Sequence, residues 1–165
     1  MSFVTHLECS YTGEKYEAGK VHGLSKAGKP LLVRYDLDAL RNAVSKDKLA
    51  ARKDGFWRYH EFLPVERPEN RITLGEVVTP LIRLKHAEKE ASVTGAIIVK
   101  DEGRLPTGSF KARGLALAVS MARELGLHHL AMPTNGNAGA AMAAYASAAG
   151  MKTTIFCPDD TPQVN

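Results

Sequence analysis

The sequence has two cysteines in 165 residues, Cys9 and Cys157, and no CxxC pair. A dithiol redox motif and a four-thiolate zinc ribbon both need such pairs, so neither can be built, and the cysteines read as unlinked thiols. No run approaches eighteen apolar residues, the length a membrane-crossing helix requires. The opening MSFVTHLECS lacks the basic-then-apolar order of a secretion signal, and a cytoplasmic protein with no membrane partner is expected. A G-x-G-x-x-G fingerprint is absent. The segment GRLPTGSFK sets Gly103 and Gly108 at phosphate-loop spacing, but Ser109 and Phe110 follow where that loop needs lysine, which argues against nucleotide hydrolysis. The net charge is only +4. Without basic clustering it does not describe a nucleic-acid binder, and a small anionic ligand suits it better.

What remains is an ordinary folding composition. Hydrophobic residues make up 44% and charged residues 24%, enough for one domain or a domain with a small appendage, and too apolar for wholesale disorder. Leu31–Tyr35 reads as a strand, with turns at Thr12-Gly13 and Ala27-Gly28. Asp38–Leu49 reads as one short polar helix with Leu40, Val44 and Leu49 inward. Asp54–Leu63 concentrates Phe56, Trp57, Tyr59 and Phe62, a set expected to anchor packing rather than cage a ligand. Pro64, Pro68 and Asn70 mark a connection. LGEVVTPL, from Leu74 to Leu81, reads as a strand start with a proline turn and receives no catalytic role. Arg83–Glu90 reads as a turn or short helix, and Thr94–Lys100 as a β-branched strand.

From Lys100 the pattern becomes regular: a buried helix over Ala112–Leu125 ending near Gly126, a strand His129–Met132, an alanine-rich helix Ala138–Ala149 closed by Gly150, and a strand Thr153–Cys157. Strand, helix and strand at this spacing imply parallel pairing through a crossover, hence α/β architecture with ligands at the carboxyl ends of the strands. The sequence ends at PDDTPQVN, where such a fold is expected to continue, so truncation is part of the reading.

Within this frame Leu105–Gly114, LPTGSFKARG, organises the chemistry. Pro106 and Gly108 form a turn, Ser109 is a cap candidate, and Lys111 stands at the entrance of an apolar helix. A helix N-terminus and partial loss of water both favour the neutral amine, the form that attacks a carbonyl. Arg104 and Arg113 flank the loop and could hold anionic groups. Thr134-Asn135-Gly136-Asn137-Ala138-Gly139 joins a strand to a helix; Gly136 and Gly139 would let the backbone approach a ligand, and the helix N–H groups would face an anion. An ordinary asparagine-capped turn is the competing reading of this loop. His128 and His129 point to opposite faces of a strand and suit a sheet edge better than a metal. Asp159 and Asp160 read as solvated charge.

PTGSFKARG followed by PTNGNAG resembles the motif pair of the threonine synthase family, within the tryptophan-synthase-β-like, fold-type II pyridoxal-phosphate enzymes. The resemblance runs from about Leu74 onward; LGEVVTPL is similar to the family's GEGxTPL, with Val77 where glycine is common. It implies a parallel three-layer αβα sheet, with residues 71–165 the first part of the catalytic domain. Residues 1–70 would be a small β-structure with connecting helices, resembling a knuckle but metal-free, because Thr12 stands where a second cysteine would. It implies pyridoxal 5'-phosphate held as a Schiff base by Lys111, with Phe110 and Asn137 also at the cofactor and Asn137 on its ring hydroxyl. Thr134, Asn135 and Gly136 would receive the substrate carboxylate. Many relatives have Asp where this chain has Ala112, a residue not bonded to the cofactor. The implied reaction converts O-phosphohomoserine and water to threonine and phosphate, a lyase of threonine biosynthesis, with a homodimer compatible in the full-length protein. The 165 residues alone are expected to be inactive. A sibling lyase acting on threonine or diaminopropionate, a cysteate synthase, or an inactive fragment or interaction module are the alternatives.

Overall fold

Three separate small sheets organise the chain in the computed structural model, which describes residues 2–53 and 55–161. The first is antiparallel, in the order β2–β1–β3, from β1 (Val4–Cys9), β2 (Lys15–Tyr16) and β3 (Leu31–Tyr35). The strand at Leu31–Tyr35 falls where the sequence places it. Both expected turns form: the Gly13 N–H reaches the Cys9 carbonyl at 3.0 Å and the Gly28 N–H that of Ser25 at 2.8 Å. Cys9 is buried and Cys157 exposed, both as free thiols.

The helix expected over Asp38–Leu49 is two helices, α1 (Leu37–Ala43) and α2 (Lys46–Ala50). Each has its own cap, which is why the chain breaks between them: Asp36 Oδ1 accepts the Ala39 N–H at 2.8 Å, and Ser45 Oγ the Lys48 N–H at 3.2 Å. The aromatic segment, apart from Asp54, which lies outside the described residues, is a 3₁₀ turn over Phe56–Phe62. Its anchoring half is Phe56 and Trp57, packed edge-on at 5.1 Å, with the indole N–H donated to the Ile72 carbonyl at 2.9 Å. Tyr59 and Phe62 remain exposed.

The second sheet is an antiparallel ribbon of β4 (Leu81–Arg83) and β5 (Ile98–Lys100), with Leu81 opposite Lys100. The strand expected over Thr94–Lys100 is thus only its last three residues, and LGEVVTPL contributes only Leu81 to a strand. Glu88, in α3 (Lys85–Glu90), accepts the Ile97 N–H at 2.9 Å and so takes that donor out of the ladder. β5 pairs antiparallel with β4 and, among the described residues, joins no other strand.

The third sheet is the parallel one. β6 (His129–Pro133) pairs with β7 (Lys152–Phe156), with α5 (Asn137–Ala148) as the connection between them. Among the described residues parallel pairing is confined to these two strands, giving a mixed α/β fold. α4 (Lys111–Glu124) packs side by side with α5. Ala112, Ala116 and Val119 of α4 and Tyr145 and Ala146 of α5 are fully buried in one core; the small side chains let the helices lie close. Both helices end on a glycine in left-handed backbone, Gly126 at φ 73° and Gly150 at φ 68°. The Leu127 N–H then reaches the Ala122 carbonyl and the Met151 N–H that of Ala146, both at 2.9 Å, satisfying carbonyls the helix leaves open.

The last turn of α4 also holds the connection from the N-terminal part. Glu124 accepts the Glu66 N–H at 3.1 Å, the Arg67 N–H at 3.3 Å and the Asn70 amide at 2.7 Å. Arg67 returns a hydrogen bond to the Glu124 carbonyl at 2.7 Å.

Candidate functional site

Lys111 is the first residue of α4, as the turn-then-helix reading requires. Before it, Leu105 is buried, Pro106–Gly108 make a 3₁₀ turn, and Thr107 sits in left-handed backbone at φ 63°. Ser109 does not cap the helix from the N-cap position, which Phe110 occupies without a side-chain bond. Its hydroxyl instead accepts the Lys111 N–H at 3.3 Å. The Lys111 side chain is half-buried, with its ammonium 4.6 Å from the centre of the exposed Phe110 ring. Among the described residues no carboxylate pairs with it.

The second loop lies at the carboxyl end of β6. Thr134 and Gly136 line a cavity of about 220 Å³ with Gly139, Ala140, Ile155 and Cys157 among its walls. Asn135 and Asn137 are exposed and do not line it. The asparagine-capped alternative does not hold: Gly136 is the N-cap of α5 and no side chain caps that terminus. Asn137 is already in the helix. The α5 N-terminus therefore keeps unfilled donors, and both asparagine amides are left without a hydrogen-bond partner among the described residues. Gly139 departs from expectation: its close approach is to protein, since a Cβ there would lie 2.6 Å from Thr134 Cγ2 and 3.1 Å from Ile155 Cγ2.

The Pro106–Gly108 turn rests against α5, and α4 lies alongside that helix. Lys111 itself does not line the 220 Å³ cavity. A larger cavity of about 810 Å³ lies between the N-terminal sheet and the far half of α4, and none of the sequence-selected site residues lines it.

Both flanking arginines are committed to carboxylates. Arg104 pairs with Asp101 at 3.0 Å, and Arg113 grips Glu102 through Nε at 2.5 Å and Nη2 at 3.0 Å. Glu102 also accepts the Thr79 hydroxyl at 2.6 Å and stands 3.4 Å from the Lys100 ammonium. The Arg113 guanidinium first, helped by Thr79 and Lys100, outweighs partial burial and holds the Glu102 carboxyl at about 2.

Sequence reasoning missed the buried carboxylate beneath this loop. Glu76, 4% exposed, accepts the Thr73 hydroxyl at 2.6 Å, the Leu74 N–H at 3.0 Å and the hydroxyl of the fully buried Tyr145. Burial alone would raise its pKa, but these donors together keep it below the ordinary carboxylate value. The Tyr145 hydroxyl is pushed up, by burial first and then by the bond it donates. The available signal was a lone acid inside the apolar run LGEVVTPL.

A half-buried primary amine at the start of one helix, and a second, adjoining helix whose N-terminus no side chain caps, are features compatible with a carbonyl-bearing anionic cofactor. Residues 72–165 match the family described as pyridoxal-phosphate dependent enzyme, and the chain belongs to that family, whose cofactor is pyridoxal phosphate. It is 36% identical over 151 residues to a threonine synthase of Methanocaldococcus jannaschii, covering 92% of this chain and 37% of that protein. Against a threonine synthase of Methanosarcina acetivorans it is 34% identical, with 93% and 37% covered, and against that of Halalkalibacterium halodurans 45% identical, with 61% and 28% covered. The chain thus spans well under half the length of these relatives. The residues present fit the cofactor: Lys111 offers an unpaired amine, and the α5 terminus offers free N–H groups and uncommitted amides.

Among the described residues no helix is long and apolar enough to cross a membrane, and no group of three or more His, Cys, Asp or Glu is placed to hold a metal ion.

Proposed function

We propose that the chain is the lysine-bearing part of a cytoplasmic threonine synthase, which turns O-phospho-L-homoserine and water into L-threonine and phosphate. Residues 71–165 carry its cofactor half, and residues 1–70 an N-terminal β-structure. The observation that carries this reading is Lys111 opening α4, the helix that packs on α5, whose own N-terminus no side chain caps. The relatives named threonine synthase, at 34–45% identity, support this member of the family.

Pyridoxal phosphate, when bound, supplies the electron sink that makes protons next to the substrate amine labile. Lys111 would hold it through its amine, and that amine, when free, would take and return protons. The Phe110 ring lies against that ammonium and limits its contact with water. Asn137 donates its amide to the cofactor ring hydroxyl without adding charge. Thr134, Asn135 and the backbone at Gly136 receive the substrate carboxylate, helped by the positive end of α5.

Two measurements on the full-length protein test this. Borohydride reduction of cofactor-loaded protein followed by peptide mapping should mark Lys111, and a label on another lysine refutes the assignment. Phosphate release should require O-phosphohomoserine; ammonia release from threonine or diaminopropionate in its place would select a sibling lyase.

A further inference from the structure

The first turn of α4 is weakly fastened by its own backbone. Its N-cap residue, Phe110, offers no side-chain acceptor. The first bonds are long, at 3.3 Å from the Ala112 N–H to the Ser109 carbonyl and 3.2 Å from the Arg113 N–H to that of Phe110. Such an end frays unless something outside the helix holds it. Ser109 Oγ takes the Lys111 N–H and Ala112 is packed into the core; the charged side-chain clamp on this turn is Glu102.

Glu102 belongs to a framework that precedes the loop. It follows β5, whose end is tied back by the Asp101 N–H on the Pro80 carbonyl at 3.0 Å. Its carboxylate is oriented by the hydroxyl of Thr79, a residue 2% exposed, and by Lys100. From there it grips Arg113 with two parallel bonds, closing into a ring the segment that carries Phe110 and Lys111. A planar guanidinium held at two points fixes orientation as well as distance, which one ammonium cannot do.

We infer that Glu102 is the positioning residue for Lys111: through Arg113 it sets the rotation of the first turn of α4, and so the direction from which the lysine amine meets the carbonyl of its cofactor. The inference rests on Lys111 being the cofactor lysine. Neither Glu102 nor Arg113 needs to touch the cofactor for this role.

The test compares wild type, E102Q and R113K in the full-length protein. E102Q keeps an acceptor but loses the charge, and R113K keeps the charge but loses the fork. The first readout is the rate at which pyridoxal phosphate labels Lys111, trapped with borohydride and read by peptide mapping. The second is amide hydrogen exchange in cofactor-free protein. E102Q should slow labelling about a hundredfold, the order expected for a reacting group displaced by about 1 Å, with R113K intermediate. Exchange should quicken at residues 110–113 and stay unchanged in α5. Labelling of a folded E102Q within about twofold of wild type overturns the inference. Exchange that quickens across the whole chain also overturns it, because the pair is then a general stabiliser. If E102Q does not fold, R113K decides: a normal labelling rate refutes the role and a slowed one with local exchange supports it. If wild-type Lys111 takes no label, the cofactor-lysine reading itself fails, a result distinct from slowed labelling in the variants, and the inference falls with it.

Discussion

Replacing Gly139 and Gly114 by alanine, one at a time, should have opposite effects on stability although both lie in helices. A Cβ at Gly139 would sit 2.6 Å from Thr134 Cγ2 and 3.1 Å from Ile155 Cγ2. Carbon atoms prefer about 3.5–4.0 Å, so the two contacts are too short by about 1 Å and about 0.5 Å. Neither neighbour is a flexible chain end, since threonine and isoleucine are stiff at χ1. Overpacking of this kind costs about 1–3 kcal/mol, against a helix-propensity gain of about 0.8–1 kcal/mol. The net effect at Gly139 is a loss of about 0–2 kcal/mol. At Gly114, exposed on α4, a Cβ meets nothing within 4 Å, so only the gain of about 1 kcal/mol remains. Urea unfolding of the two variants should therefore separate them by about 1–3 kcal/mol. G139A should also slow cofactor labelling of Lys111, because the displaced Thr134 belongs to the second loop. Equal stability of the two variants would refute the packing argument.

Asn137→Ala should leave unfolding within about 0.5 kcal/mol of wild type, because the side chain caps nothing, while slowing turnover about tenfold to a thousandfold; an unchanged rate would reduce the loop to a turn. Tyr145→Phe should cost about 1–3 kcal/mol in urea unfolding by removing one donor from the buried Glu76 carboxylate. Glu61 gives a pH prediction. The Arg52 guanidinium, bonded at 2.7 and 2.5 Å, lowers its carboxyl from 4.5 to about 2. A depressed pKa contributes stability above the unfolded value, lost as pH falls from about 4.5 towards 2. Glu61→Gln should flatten the fall of stability with pH in that window, and an unaltered slope would refute the pairing.

The regular half of the fold was legible because its signals are local. The periodicity of α4 and α5, their closing glycines and the short β-rich runs at β6 and β7 each lie within a dozen residues of what they specify. Lys111 was legible as a motif for the same reason. Long-range pairings were not. Nothing near Glu76 announces that Tyr145, 69 positions away, will satisfy it, and nothing near Arg113 separates a ligand-binding arginine from one spent on Glu102. The split between α1 and α2 could have been read, since Ser45 is a cap residue at the break. β5 lies inside the strand read over Thr94–Lys100, but its partner β4 could not be read, because three residues are too few for a period to show.

The grip of Glu124 on residues 66–70 also bears on the order in which the chain matures during synthesis. Glu66 and Glu124 are 58 positions apart. At about 5–20 residues per second, roughly 3–12 s pass between their additions. Throughout that interval the Glu66 and Arg67 N–H groups and the Asn70 amide lack the Glu124 carboxylate that receives them, so the segment 66–70 waits undocked. Its docking cannot precede completion of the last turn of α4. A carboxylate at that end opposes the helix dipole, and the donors arriving from the earlier segment offset it. Translation therefore delivers the acceptor last, and seating the N-terminal segment also locks the end of the lysine helix.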